Sequence, residues 1–77
     1  MRNGKFYNLE TEMLKAQISR KELAKTLNLS EWGLNNKLKG RNEFKLSEME
    51  KTREALSFIN GEKLKLDYLF EREREKE

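Results

Sequence analysis

Residues 19–41 read SRKELAKTLNLSEWGLNNKLKGR, and the order of polar and apolar side chains in that stretch decides the fold. Ser19 and Glu22 form the S-x-x-E signature of a helix start, in which each side chain satisfies the other residue's backbone amide. Leu23, Ala24 and Leu27 follow at helical spacing and share one buried face. Asn28 stands where the chain must leave that helix, and asparagine tolerates the left-handed backbone such an exit requires. Leu29 then turns back to the core, Ser30 can cap a second helix, and Leu34 and Leu38, one turn apart, bury its inner side. The small Ala24 leaves room for a close crossing of the two helices.

Two short amphipathic helices joined by such a turn are how a helix-turn-helix reader of DNA is built. Around it the chain reads as an all-α, compact four- to five-helix bundle. Residues 1–7, MRNGKFY, carry no periodicity and are expected to be a flexible arm pinned by Phe6 or Tyr7. The domain is expected over residues 8–70. A first helix runs over about 9–17, with Leu9, Met13 and Ala16 on one side. Gly40 is the natural stop of the helix that starts after Ser30, and Phe44 in the following loop is expected to plug the core. Ser47 and Glu50 repeat the S-x-x-E pattern and predict a fourth helix carrying Met49, Thr52 and Leu56 inward, ended by Asn60-Gly61. Residues 64–70 fit a short fifth helix or, by alternation, an extended segment; Asp67 in a first turn and the Leu66–Phe70 spacing favour helix. The tail, residues 71–77, is alternating charge expected to face solvent.

At 77 residues there is room for one core and no second domain. The absence of Cys and His excludes a zinc finger, a thiol nucleophile and histidine acid–base chemistry. No G-x-S-x-G or phosphate-cradling glycine loop occurs, so an enzyme is not expected, and neither cofactor, metal nor small-molecule substrate is implied. No apolar run approaches the roughly 18 residues of a membrane span, and no signal-peptide core is present. A cytoplasmic protein is the expectation. The net charge of +3 is modest, but its placement is uneven. Residues 13–45 hold eight basic side chains against three acids, whereas residues 46–77 hold seven against nine. Any one of those lysines is explained by solvation; the set favours a polyanion.

On the helix after Ser30, Trp32 and Asn36 lie about 200° from Leu34, on what should be the outer face, with Glu31 and Asn35 beside them. These residue types suit the major groove. Asparagine pairs with the N6 and N7 edge of adenine, glutamate accepts from cytosine N4, and an apolar group meets the thymine methyl. Solvation of Asn35 and Asn36, a local ion pair for Glu31, and a core position for the single Trp are the alternatives.

The stretch L-A-x-x-L-x-L-S, then Leu34 and the ending K-L-K-G-R, resembles the helix-turn-helix of the lambdoid phage repressor and Cro (XRE-like) class of small bacterial and phage regulators. Residues 8–18 are similar to the first helix of such domains, residues 42–53 to the helix after recognition, and Leu66-Asp67-Tyr68-Leu69-Phe70 to their common ending. Asn28 replaces a frequent glycine, and Lys37 stands where many members are apolar. The resemblance implies a transcriptional regulator, most simply a repressor that occupies a promoter, with the helix Ser30–Lys39 in the major groove. It implies base contact by Ser30, Glu31, Trp32, Asn35 and Asn36. Phosphate contact is implied for Arg20, Lys37, Lys39, Arg41 and the amides near Gly40, which would hold the DNA backbone without reading sequence. If Leu66, Leu69 or Phe70 remains outside, a two-fold homodimer seam results, placing two recognition helices about 34 Å apart on a near-palindromic operator; otherwise these residues close the core. Two other readings stand beside this one: an antitoxin-like regulator, and a helical protein-interaction module that kept the fold without DNA.

Overall fold

The computed structural model describes residues 6–71. They form five helices, α1 (Tyr7–Ala16), α2 (Arg20–Leu27), α3 (Glu31–Leu38), α4 (Leu46–Asn60) and α5 (Leu66–Leu69), with no strand among the described residues. Each helix sends one leucine into a shared centre: Leu9, Leu23, Leu34, Leu56 and Leu69 have no exposed surface. Around them α1 packs on α4 and α5, α2 on α3 and α4, and α4 on α5. Among the described residues no helix is long and apolar enough to cross a membrane.

Local chemistry sets the helix ends. The Ser19 hydroxyl accepts from the Glu22 amide at 3.1 Å and the Glu22 carboxylate from the Ser19 amide at 2.9 Å, so the expected capping box opens α2. Helices α1 to α4 each end on or beside a residue with positive φ: Gln17 at 57°, Asn28 at 63°, Gly40 at 86° and Gly61 at 69°. After α1, α2 and α3 the chain turns back so that the Ile18, Leu29 and Arg41 amides reach the carbonyls of Met13, Ala24 and Asn36 at 3.0, 2.8 and 2.9 Å, closing carbonyls the helix would otherwise leave open. Gln17 is the costly member of this set. It has neither the freedom of glycine nor the short side chain that lets asparagine compensate locally. Gln17→Gly is expected to stabilise by about 1 kcal/mol and to raise Tm by about 4–8 °C in a domain of this size; an unchanged thermal melt would mean the glutamine makes a compensating contact.

Three expectations change. Phe6 is buried and precedes α1, and Tyr7 opens that helix; the rest of the expected arm, residues 1–5, and residues 72–77 of the tail lie outside the described residues. The Phe6 ring meets Phe44 and Phe70 edge-on at centroid distances of 5.5 and 5.9 Å, and Phe44 meets Phe70 at 5.0 Å, geometry that favours aromatic attraction beyond simple burial. Second, α4 does not start from the Ser47–Glu50 pair. Lys45 is its cap residue, and the Glu48 carboxylate accepts the Lys45 amide at 2.9 Å. Third, two of the three residues of the expected dimer seam, Leu69 and Phe70, are spent on the core. Leu69 is 0% exposed, Leu66 and Phe70 are half-buried, and Phe70 belongs to the aromatic trio. The reason is that α5 docks on both α1 and α4 and spends its apolar face closing the bundle.

A polar node holds that closure. Glu12 in α1 is 2% exposed. Its carboxylate accepts from Asn60 Nδ2 at 2.8 Å and from the Tyr68 hydroxyl at 2.9 Å, with Lys15 Nζ at 3.5 Å and Glu62 3.7 Å beyond that ammonium. Burial alone would push this carboxyl up; the Tyr68 hydroxyl, the Asn60 amide and the Lys15 charge outweigh it and hold it below its usual range. The same contact, together with burial, raises the Tyr68 phenol.

Candidate nucleic-acid interface

The backbone of helix α3 comes close to that of one other helix, α2, which leaves one side of it open. Ser30 starts it: the serine Oγ accepts the Gly33 amide at 2.9 Å. A Cβ at position 33 would stand 3.2 Å from that oxygen, so glycine here makes room for the cap. At about 100° per residue, Glu31, Asn35, Lys39 and Trp32 occupy an arc roughly 60° to 160° round from Leu34. Glu31, Trp32 and Lys39 are exposed and Asn35 is half-buried. Trp32 is 75% exposed, in agreement with its helical phase.

The opposite arc is closed, and three expected contacts fall there. Asn36 is only 7% exposed, not on the outer face, because the loop after α3 folds back to it: the Arg41 and Asn42 amides bond its carbonyl at 2.9 and 3.4 Å. Gly40 donates its amide to the Lys37 carbonyl at 3.1 Å. The amides at 40 and 41 are thereby spent on the helix end and cannot be offered to a phosphate. Lys37 turns inward. Its ammonium lies 3.0 Å from Glu48 Oε1 and 3.0 Å from the Glu43 carbonyl, with its side chain 12% exposed, which removes it from the phosphate-binding set. Burial would raise the Glu48 carboxyl, but the Lys45 amide and Lys37 overcome that and lower it. Lys37→Ala is therefore expected to cost about 1–2 kcal/mol in stability, since it strands a largely buried carboxylate. A chemical denaturation midpoint equal to the wild type would contradict an ion pair that ties α3 to α4.

Arg20 connects three helices. From the first position of α2 it donates Nη1 to Asn35 Oδ1 of α3 at 3.1 Å, while Nη2 lies 3.5 Å from Glu10 Oε2 of α1. This pairing was invisible in the sequence, where Arg20 and Asn35 are separate candidates. Lys39 and Arg41 are exposed and form no ion pair among the described residues. The open surface thus presents an acid, an indole, an amide and exposed cations on one side of a short helix, a set able to hydrogen-bond and to neutralise anions. Comparison with protein-family models, with curated proteins and with solved structures finds no match.

Proposed function

We propose that the chain is a sequence-specific double-stranded DNA-binding regulator, in which α2, the turn at residues 28–30 and α3 act as a helix-turn-helix of the repressor and Cro type. The carrying observation is the open arc of α3, where Glu31, Trp32 and Asn35 stand together and Lys39 and Arg41 continue the surface beyond the last turn. A helix carried on one neighbour can enter a major groove without its own domain colliding with the DNA. Ser30, with its oxygen taken by the cap, keeps a hydroxyl proton for a base or phosphate oxygen. Asn36, Lys37 and the amides at 40 and 41 are not part of the interface.

The test is selection from a random duplex pool, followed by a salt titration of the winner. An enriched duplex whose affinity falls steeply with salt supports the reading; its symmetry also reads out the number of copies bound. Absence of enrichment, with only weak binding lost at about 150 mM salt, overturns it. One observation favours a second reading, a helical module that binds protein: the same arc carries a highly exposed Trp32 beside an acid, a common form for an interaction hot spot. Under that reading Trp32→Ala abolishes partner binding and neutralising Lys39 and Arg41 does not.

A further inference from the structure

Within the DNA-binding reading, on which this inference rests, we infer that Arg20 fixes the orientation of the Asn35 amide so that Asn35 selects guanine over adenine. Asparagine facing a base edge can usually offer an acceptor and a donor together, and that mixed pair matches adenine, whose N6 donates and N7 accepts. In Asn35 one lone pair of the oxygen is already taken by Arg20, which turns that oxygen toward α2. The guanidinium has donors only, so the atom 3.1 Å from Arg20 Nη1 must be the amide oxygen. The amide nitrogen then points the other way, and nothing among the described residues accepts from it. Glu10 Oε2, 3.5 Å from Nη2, holds the guanidinium in place from the α1 side.

The outward edge of the pair is therefore dominated by donors: the Asn35 amide protons and the unused protons of Arg20. Guanine is the base whose major-groove edge presents two acceptors side by side, O6 and N7. Adenine would set its N6 protons against the Asn35 amide protons. Asn35 is thus the specificity-determining residue and Arg20 its positioning residue. A good base contact discriminates by about 5- to 150-fold, and that is the range expected between a guanine and an adenine at this step.

The experiment takes the duplex enriched by the wild-type chain, replaces each base pair in turn, and measures affinities for the wild type, Asn35→Ala, Arg20→Met and Arg20→Lys, with melting curves as the check on folding. Asn35→Ala should level the preference at one guanine. Arg20→Met should move the preference at that position toward adenine, because the released oxygen can accept from N6. Arg20→Lys, whose ammonium is also donor-only, should keep guanine. Adenine at the Asn35-sensitive position of the wild type, no position sensitive to Asn35, or a preference unmoved by Arg20→Met overturns this inference while leaving DNA recognition intact. A wild type that enriches no duplex overturns the DNA reading and this inference together.

Discussion

Glu12→Ala is expected to lower stability by about 3 kcal/mol, a large share of what a domain this small possesses. The substitution removes the one carboxylate that Asn60, Tyr68 and Lys15 all address, and leaves an amide and a hydroxyl facing a gap between α1, α4 and α5. Tm should fall by about 12–24 °C. Glu12→Gln, which keeps the shape and one acceptor without the charge, should fall between the two. The node also makes stability depend on pH. Folding lowers the carboxyls of Glu12 and Glu48, so in the acid range the unfolded chain binds more protons than the folded one. That contribution is complete above the ordinary carboxylate value, about 4.3, and is lost as pH falls through the lowered folded values. Urea denaturation from pH 7 down to pH 3 should show this loss, and Glu12→Gln should flatten it. A Glu12→Ala melt within 3 °C, on the order of half a kcal/mol, would mean that water replaces the carboxylate at no cost.

The second large effect concerns affinity. The double variant Lys39→Ala with Arg41→Ala should weaken duplex binding by about 10- to 100-fold at low salt and reduce the slope of log affinity against log salt by about 1.8, two phosphate contacts at roughly 0.9 each. Stability should stay within about 0.5 kcal/mol, because both side chains are exposed and outside the ion pairs. Lys37→Ala provides the contrast: lower stability with an unchanged slope. Should Lys37→Ala reduce the slope as strongly as the double variant, the inward ion pair with Glu48 does not survive binding.

What the sequence displayed was whatever depends on neighbours a few residues away. Ser19 with Glu22, Ser30 before α3, and Asn28 and Gly40 after helices are local devices, and each stands where its chemistry required. Two side chains that the sequence left without a partner find one distant along the chain. Glu12 finds Asn60 and Tyr68, 48 and 56 residues on, and Lys37 finds Glu48 on the next helix. A signal did exist. Glu12 follows Leu9 by three and precedes Met13; Lys37 follows Leu34 by three and precedes Leu38. Both charges are in phase with the core stripe, so burial with an opposite partner was implied by spacing even though the partner was not. Asn36 had no such signal, because its cover is a returning loop whose path no periodicity encodes. The α5 residues were ambiguous for another reason: a four-residue helix is too short for its phase to say which side faces in.

The described ends of the chain lie side by side. The Phe6 and Phe70 rings are 5.9 Å apart, and Asn8 Nδ2 donates to the Tyr68 carbonyl at 2.9 Å. A circular permutant that joins these ends through a short linker and opens the backbone at the exposed Lys63 would retain all five helices and their packing. It would also place α5 directly before α1, turning the longest-range docking of the natural order into a neighbour contact. Lower contact order then speeds folding without adding an interaction to the native state.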